Sequence, residues 1–455
     1  MRGPKKLNKI HLRTRIRFYS KFKIMSDFSD DYDDSLSVSD DEPIQDEPDF
    51  SGEFLNKKYV LIMKIGYGAF ATVWLAYNVN SKRFFAIKVQ SADNYEIGLD
   101  EVETLQKISS SKCKQFNKMV DNFTHSSEEG DHVCMVFELL AGSVYDLIRR
   151  GKYSQGLPLN VVKHIIKEVL IAMDNLNREL NILHTDIKPE NILIGGIGNN
   201  VQDVINQFNK SGFHNLVKKY RKKRRKSWIQ AVKRASKDVI TRMDLGDELK
   251  HDNRFDSEEG GESESESGNN DVNPNFVAIN EKYFVGNLPR IKLSDFGGCY
   301  EISDNMDDEI QTRYYMAPEI MLGHKFSETC DVWSVGCMLY ELLTGEILFD
   351  PDKKKRFNRD RHHLYDIQQI LGMIPKTMIE NSSNKSIFFR NNGLIKGKNK
   401  IEYKPLSNLL INKVGNRFET NDLMEVLDFM YRLLEIDPMK RPTPKECLKH
   451  SWLQS

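Results

Sequence analysis

One short segment constrains this chain of 455 residues more than any other feature of its sequence: His184–Asn191, which reads HTDIKPEN. Within a single loop, Asp186 can accept a hydroxyl proton, Lys188 can neutralise a transferred phosphate, and Asn191 can hold a metal ion. An Asp-Phe-Gly string follows downstream at 295–297. Because their joint appearance by chance is negligible, we expect the fold to bring the two strings to one site.

A second group of residues, near the start of the chain, has the chemistry of a phosphate site. Two glycines between predicted strands let backbone N–H groups approach phosphate oxygens, and the predicted loop consists of Ile65, Gly66, Tyr67, Gly68, Ala69, Phe70, Ala71, Thr72 and Val73. Lys88 projects from a later predicted strand with apolar neighbours. Taken alone, these features could be a plain hairpin turn and a solvated edge lysine. We predict that Glu101 pairs with Lys88, because the alternative, Glu103, points away from that helix face.

Periodicity predicts the order of the elements. β-branched and aromatic runs between 59 and 89 and at 133–137 predict an antiparallel sheet, and apolar spacing over 99–108 predicts a helix. Beyond this region the amphipathic stretches have a helical period, at 159–180, 327–344, 362–372 and 421–434. A small β-rich part followed by a larger helical part predicts an α+β fold with two lobes.

The zero net charge is the sum of four strongly charged blocks. Lys+Arg and Asp+Glu both number 66, but the blocks are nine Lys/Arg without an acid in 1–24, twelve Asp/Glu without a base in 26–53, twelve Lys/Arg without an acid in 210–237, and eleven acids against two bases in 244–271. Like charges repel and cannot pack a core. Such blocks are therefore usually disordered.

These blocks divide the chain into four parts. The predicted parts are a disordered charged tail over 1–55, a folded domain split into 59–195 and 288–453, and a charged, mostly disordered spacer over 196–287. Part of the spacer, 213–239, could form a basic helix. Met25 opens the acidic block, so translation could begin there; a mitochondrial presequence is the less favoured interpretation of 1–24.

Composition excludes several classes of protein. The six cysteines lie far apart, form no CxxC pair and have no His at metal-ligand spacing, which indicates reduced, mostly buried thiols. No apolar run approaches the ~20 residues of a membrane span, and the start of the chain lacks the apolar stretch of a signal peptide. We therefore expect an intracellular monomer, cytoplasmic or nuclear, without a membrane partner.

The basic run Lys218–Lys226 has three possible interpretations. It could be a nuclear-import signal, a nucleic-acid contact or a solvated tract, and the nucleic-acid contact is the least favoured. The acidic blocks could also cover it intramolecularly.

The strings together resemble the catalytic loop, the metal-binding triplet and, at Ala317–Glu319, the end of the activation segment of protein kinases. The resemblance covers 59–453 apart from the spacer. It extends to Asp331–Gly336 and to Arg441, the expected ion-pair partner of Glu319. It implies a two-lobed enzyme that transfers phosphate from ATP, with Mg²⁺, to a protein substrate.

The resemblance also implies individual roles. Asp186 would accept or orient the hydroxyl proton, Lys88 would contact the α and β phosphate oxygens, and Lys188 the γ oxygens. Further implied ligands are the backbone groups of Glu138 and Leu140 for adenine, and the side chains of Asn191 and Asp295 for Mg²⁺. Lys188 together with Thr312 resembles the Ser/Thr kinases rather than the Tyr kinases.

Three features resemble one branch, the SR-protein kinases, which phosphorylate serines in Arg-Ser repeats. These features are Thr185 where most kinases have arginine, Ala71 in place of the third glycine, and a spacer after the catalytic loop. The usual arginine clamps a phosphorylated activation segment, so its replacement implies constitutive activity. The branch implies a Ser-rich protein substrate.

Three other features depart from that branch. Phe296 replaces the usual leucine, Met316 replaces an arginine that shapes the pocket after the target serine, and the run Asp352–His363 is mostly basic where the branch reads Arg-rich substrates with acidic side chains. Because like charges repel, we expect altered substrate selection. The alternatives are another Ser/Thr or dual-specificity kinase acting on other sequences, and a non-catalytic scaffold or nucleic-acid-binding protein. We also expect deletion of 200–285 to leave peptide phosphorylation nearly unchanged.

Overall fold

The structure is a computed structural model, and it describes residues 49–68, 70–149, 153–220, 225–243, 288–302, 310–351 and 358–454. Parts of five sequence predictions lie outside this set: the tail over 1–48, residues 221–224 of the basic run Lys218–Lys226, the spacer over 244–287, Ala69 in the nucleotide loop, and residues 352–357 of the run Asp352–His363.

An antiparallel sheet of six strands forms the N-terminal lobe, in the spatial order β1-β2-β3-β4-β6-β5. Its strands are β1 (Phe54–Leu55), β2 (Tyr59–Gly68), β3 (Ala71–Asn78), β4 (Phe84–Gln90), β5 (Met119–Ser126) and β6 (Asp131–Glu138). Helix α1 (Tyr95–Ser110) packs on β5 and β6, burying Val102, Leu105 and Ile108 at a helical spacing. The predicted sheet and the predicted helix are both present.

The remainder is mainly helical. Small sheets join β7 (Gly142–Ser143), β9 (Ile192–Ile194) and β10 (Ile291–Leu293), and β8 (Ile182–Leu183) with β11 (Tyr300–Glu301). The helices are α2 (Val144–Arg149), α3 (Leu159–Leu180), α4 (Asn199–Lys210), α5 (Phe213–Tyr220), α6 (Arg225–Arg242), α7 (Pro318–Met321), α8 (Thr329–Thr344), α9 (Arg359–Leu371), α10 (Lys376–Asn381), α11 (Lys385–Phe388), α12 (Leu406–Val414), α13 (Thr420–Leu433), α14 (Pro444–Cys447) and α15 (Ser451–Gln454).

Helix α8 is the centre of the C-terminal lobe. All of its residues are buried, and it packs against α3 and α13. A helix that is buried on all sides lies inside a large core. The four predicted helices correspond to α3, α8, α9 and α13 within three residues at each end. The α+β fold with two lobes is confirmed.

The predicted boundary of the N-terminal tail is wrong. Residues Phe50, Phe54 and Leu55 are buried, and β1 pairs with the start of β2. Residues 49–55 therefore belong to the N-terminal lobe. The sequence pattern missed them because these few apolar residues stand in an acidic stretch.

The prediction of a mostly disordered spacer is wrong for residues 199–220 and 225–242, which contain α4, α5 and α6. Their apolar faces pack on the sheet of the N-terminal lobe. The spacer side of this cluster comprises Val204, Ile205, Phe208, Phe213, Val217, Val232, Ala235, Val239 and Ile240, and the lobe side includes Phe54, Val60, Ile62, Leu75, Tyr77 and Leu139. Within the suggested basic helix over 213–239, the described residues 213–220 and 225–239 belong to two helices, α5 and α6.

All six cysteines are unpaired and buried, as predicted. Within the described ranges, no helix is both long and apolar enough to cross a membrane.

Candidate active site

The catalytic loop runs from β8 to a short 3-10 helix, Pro189–Asn191, and its backbone is held by Asp331 at the start of α8. The backbone N–H groups of His184 and Thr185 each donate to this buried carboxylate at 2.9 Å. Thr185 has a φ of +66°, a costly conformation for a β-branched residue, and these bonds stabilise it. Burial raises the pKa of Asp331 to about 6, while the two N–H donors oppose that rise.

Sequence reasoning did not assign this role to Asp331. The available signal was an acidic residue at the start of an otherwise apolar helical stretch, within a string that resembled the kinases. Thr185 has a second function, because its Oγ1 donates to the carbonyl oxygen of Gly298 at 2.8 Å. The residue that replaces the usual arginine thus ties the catalytic loop to the segment after Asp295.

The side chains of two predicted residues, Lys188 and Thr312, meet at the carboxylate of Asp186. Oδ1 accepts a hydrogen bond from the Thr312 hydroxyl at 2.6 Å, and Oδ2 lies 2.9 Å from the Lys188 ammonium. Lys188 also donates to the Thr312 hydroxyl at 2.9 Å. Although burial opposes its charge, the neighbouring Asp186 raises the pKa of Lys188. A hydroxyl group can therefore donate to Asp186 while a fixed cation stands beside it.

Lys88 on β4 joins the two lobes at a second ionic cluster. Its Nζ lies 2.7 and 2.9 Å from the carboxylate oxygens of Glu101 on α1, and 3.2 Å from Oδ1 of Asp295. Burial opposes the charge on Lys88, but these two carboxylates raise its pKa. Lys88 in turn lowers the pKa of Asp295. Glu103, the alternative partner, is exposed.

Packing behind Asp295 sets its direction. The Phe296 ring is buried edge-on against Phe116, with centroids 5.9 Å apart, and against His184 at 5.4 Å. At Gly297 a Cβ would lie 3.3 Å from the Glu101 carboxyl group, so a side chain there would press on the partner of Lys88. Phenylalanine at position 296, where leucine was expected, fits this apolar site.

The nucleotide loop is the β2–β3 hairpin. Gly66 pairs with Val73 and Gly68 with Ala71, and a Cβ on Gly68 would meet no heavy atom within 4 Å. The loop therefore has open space on one side. Thr72 is buried, and its hydroxyl accepts a hydrogen bond from the Trp74 indole at 2.9 Å, so this side chain supports the sheet.

The predicted adenine site follows β6. The carboxylate of Glu138 lies 3.2 Å from the Arg290 guanidinium, and the residue stands across from Phe85 of β4 at the end of the sheet. Phe137 is buried and lies across from Ala86 of β4. Farther along the chain, the backbone N–H of Ala141 donates to the carbonyl oxygen of Ile194 at 2.8 Å. Leu140 lies in this connection between the lobes, where its backbone can serve the predicted role.

The residues predicted to hold Mg²⁺ have suitable donor groups. Asn191 donates its Nδ2 to the backbone oxygen and to Oδ2 of Asp186, at 2.8 and 3.0 Å, which leaves its Oδ1 for a cation. The carbonyl oxygen of Asn191 accepts from the backbone N–H of Ser294 at 2.9 Å, which places Asp295 next in the chain. No group of three His, Cys, Asp or Glu that could hold a metal occurs in the described ranges. Mg²⁺ usually takes one or two protein oxygens together with phosphates and water, so this pair fits.

The predicted pair of Glu319 and Arg441 is present and fully buried. Their two hydrogen bonds measure 2.6 and 2.9 Å, and Arg441 also donates to the backbone oxygens of Glu435 and Thr329. The guanidinium is thus satisfied by several acceptors, as a buried charge requires. The pair fixes the end of the segment that carries Thr312.

The sequence reasoning missed a buried polar cluster around Glu341 of α8, which lies beneath the segment that carries Thr312. Its carboxylate accepts the Tyr315 hydroxyl at 2.6 Å and lies 3.8 Å from Arg149. Burial raises the pKa of Glu341 to about 7. Met316, where an arginine was expected, is buried, with its sulfur 3.6 Å from the Arg313 guanidinium. No local sequence pattern distinguishes Glu341 from an exposed helical acid.

Comparisons with known proteins agree with this geometry. A family model described as the protein kinase domain matches residues 59–205 and 270–453. Protein kinase dsk1 of Schizosaccharomyces pombe is 31% identical over 88% of this chain and 81% of its own length. The serine/threonine-protein kinase SRPK of Physarum polycephalum is 30% identical over 88% of this chain and 87% of its own length. SRSF protein kinase 3 of Mus musculus is 26% identical over 92% of each chain.

Proposed function

Because the chain belongs to the protein kinase family, as an ATP-dependent serine/threonine kinase whose relatives are SR-protein kinases, we propose that it phosphorylates serines in Ser-rich protein substrates with Mg²⁺ and without prior activation. The observation that carries this proposal is the cluster of Asp186, Lys188 and Thr312, in which a hydroxyl already donates to the carboxylate beside a fixed cation.

In this proposal each residue acts through position and charge. Asp186 accepts the proton of the substrate hydroxyl, and Lys188 stabilises the negative charge that spreads over the transferred group. Lys88, held by Glu101, contacts the phosphates nearer the ribose. Asp295 and Asn191 would hold Mg²⁺, and the bound ion would supply further positive charge to the phosphate oxygens.

Activity without prior phosphorylation is supported by two features. The pair of Lys88 and Glu101 is already formed, with Asp295 beside it, and these contacts are the ones that activation controls in kinases. Thr185 replaces the arginine that would bind a phosphorylated segment, and it is bonded to Gly298 instead. A phosphatase-treated sample should therefore keep its specific activity; a loss of more than tenfold would contradict this part of the proposal.

The proposal includes a substrate selection in which Arg-Ser sequences are not preferred. A cleft of about 470 Å³ lies between α9 and residues 397–404, and its rim carries three lysines, Lys398, Lys400 and Lys404, against Asp366 and Glu402. Met316 supplies no charge to the pocket after the target serine. Arg-rich peptides would meet like charge at this cleft.

Peptide phosphorylation by the purified full chain tests these proposals. We expect transfer from ATP to Ser peptides, and a loss of about 10²–10⁴-fold in kcat for Asp186→Ala with ATP binding retained. The exposed Asp93→Ala variant is the control. Near-normal activity of Asp186→Ala would refute its assignment, and absence of ATP turnover in the wild type would favour a scaffold.

An array of Arg-Ser, acidic and proline-directed Ser peptides tests the substrate class. We expect no preference for the Arg-Ser peptides. A strong Arg-Ser preference would show that the basic cleft does not govern docking and that the chain selects substrates as its relatives' branch does.

A further inference from the structure

Helices α5 and α6 carry a basic outer face opposite the apolar face that packs on the sheet. Buried positions of α6 recur at helical spacing, for example Val232, Ala235, Ser236 and Val239. The exposed positions of the two helices form what we call the basic face: Lys218, Lys219, Lys226, Lys233, Arg234, Lys237 and Arg242. Among the described residues of these two helices, Asp238 is the only acid.

The end of the acidic block already lies on this face. Glu53 bridges two of its lysines, with carboxylate oxygens 3.2 Å from Lys233 and 2.9 Å from Lys237. Burial alone would raise the pKa of Glu53, but hydrogen bonds and charge from these lysines lower it. The Ser236 hydroxyl also donates to the Gly52 carbonyl oxygen at 2.7 Å. The chain before the sheet therefore enters the fold beside α6.

Five cations of the basic face have no ionic partner. They are exposed and form no ion pair with any residue in the described ranges: Lys218, Lys219, Lys226, Arg234 and Arg242. Positive charges on one face of neighbouring helices repel each other, and an anionic chain bound there would reduce that repulsion. Glu53 neutralises one end of the face only.

The sequence supplies an acidic chain directly next to Glu53. Residues 26–48 contain ten Asp/Glu and no Lys or Arg. Lys226 and Lys237 are eleven residues apart on one helix, about 16 Å along its axis, whereas 23 residues can extend over about 75 Å. The tail is therefore long enough to reach every cation of the face.

We propose that the acidic tail, residues 26–48, docks on the basic face, extends the ion pairs that Glu53 begins, and keeps other polyanions off this surface. The acidic block 244–271 is the competing occupant, because it follows α6 directly. It carries two bases among its eleven acids, whereas 26–48 carry ten acids and no base and lead into Glu53, which lies on the face, so the tail is the better match.

Zero-length carbodiimide cross-linking of the full chain, followed by peptide mass spectrometry, tests the docking directly. We expect Lys218, Lys219 and Lys226 to couple to carboxylates within 26–48 at low salt, and the yield to fall at high salt. Coupling to 244–271 instead, or no coupling to either block, would overturn the proposal. The readout does not depend on kinase activity.

Binding of a labelled single-stranded RNA of about 20 nucleotides gives a second test. A full chain whose Asp and Glu within 26–48 are changed to Asn and Gln should bind RNA about tenfold more tightly than the wild type at ~50 mM salt. The matched control carries the same number of changes in 244–271 and should bind like the wild type. Replacing Lys218, Lys219, Lys226 and Arg234 by Ser should remove the gain. Equal RNA affinity of the wild type and the tail variant would show an open face and sink the proposal.

Discussion

Two acids on α1 lie two positions apart, yet only Glu101 reaches Lys88. Glu101 is buried and holds the lysine against Asp295, whereas Glu103 is exposed. We expect Glu101→Ala to lower kcat/KM by about 10²-fold, since Lys88 would lose the partner that positions it. Glu103→Ala should stay within about twofold. Steady-state kinetics with one Ser peptide measures both variants, and equal effects would exclude the assigned pairing.

Glu341 predicts a pH dependence of stability. Its pKa rises from an ordinary carboxyl value to about 7 on folding, chiefly by burial. The folded state then binds the proton more tightly than the unfolded state, so the stabilisation is complete below about pH 4.5 and is lost as the pH rises through 7. Thermal unfolding should show wild type losing about 2–3 kcal/mol relative to Glu341→Gln between pH 5 and 8. The exposed Glu346→Gln is the control, and parallel curves for wild type and Glu341→Gln would contradict the prediction.

Among the elements, the C-terminal lobe offers a direct comparison of two ion pairs. Arg441 and Glu319 are fully buried, whereas Arg432 and Asp428 form an exposed pair within α13 at 3.2 Å. Removing one partner of a buried pair leaves an uncompensated charge. Arg441→Ala should therefore lower the free energy of unfolding by about 3–5 kcal/mol, and Arg432→Ala by less than about 1 kcal/mol. Urea denaturation measures the free energy of unfolding of both variants. Similar losses of stability would mean that burial does not determine how much these ion pairs contribute.

The end of α8 depends on a glycine. Gly345 has a φ of +77°, and a Cβ there would lie 2.0 Å from the carbonyl oxygen of Ser154. Gly212 has a similar φ of +69° but no heavy atom within 4 Å of its would-be Cβ. Gly212→Ala should cost about 1–2 kcal/mol from the backbone alone, while Gly345→Ala should cost several kcal/mol more because the backbone must move. Calorimetry of both variants decides this, and equal losses would contradict the steric argument.

For the whole molecule, the helical part of the spacer connects the lobes. The chain leaves β9 in the C-terminal lobe and continues into α4, α5 and α6, which pack on the N-terminal lobe. On the way it passes close to Ala141, since a Cβ on Gly198 would lie 3.0 Å from the Ala141 carbonyl oxygen. Removing these helices would expose the apolar surface they cover. The expectation that deletion of 200–285 leaves activity nearly unchanged therefore needs revision.

We expect the two halves of the spacer to respond differently to deletion. Replacing 245–286 by a Gly/Ser linker should keep peptide phosphorylation within about twofold. Deleting 200–243 should lower the melting temperature and the soluble yield, because buried apolar residues on both sides become exposed. Kinase assays and thermal unfolding of both variants measure this. A fully active chain without 200–243 would show that these helices are dispensable.

The sequence by itself determined the chemistry and the main elements of the fold. The strings around Asp186 and Asp295, the spacing of Lys88 and Glu101, and the helical period of α3, α8, α9 and α13 are all local patterns. Local patterns are readable because each depends on residues within one loop, one helix face or two neighbouring elements. The buried pair of Glu319 and Arg441 was predicted only through the resemblance to a family, since 122 positions separate its members.

Only the tertiary structure decided which charged groups are buried and what the charged segments pack against. Asp331 and Glu341 look like ordinary helical acids in the sequence, and burial in the fold is the main cause of their raised pKa values. Most of the region of helices α4–α6 was predicted to be a disordered spacer, because blocks of like charge dominate this part of the sequence. The apolar residues of these helices become a core only when the sheet of the N-terminal lobe is present to cover them, and that contact joins parts of the chain more than 100 residues apart.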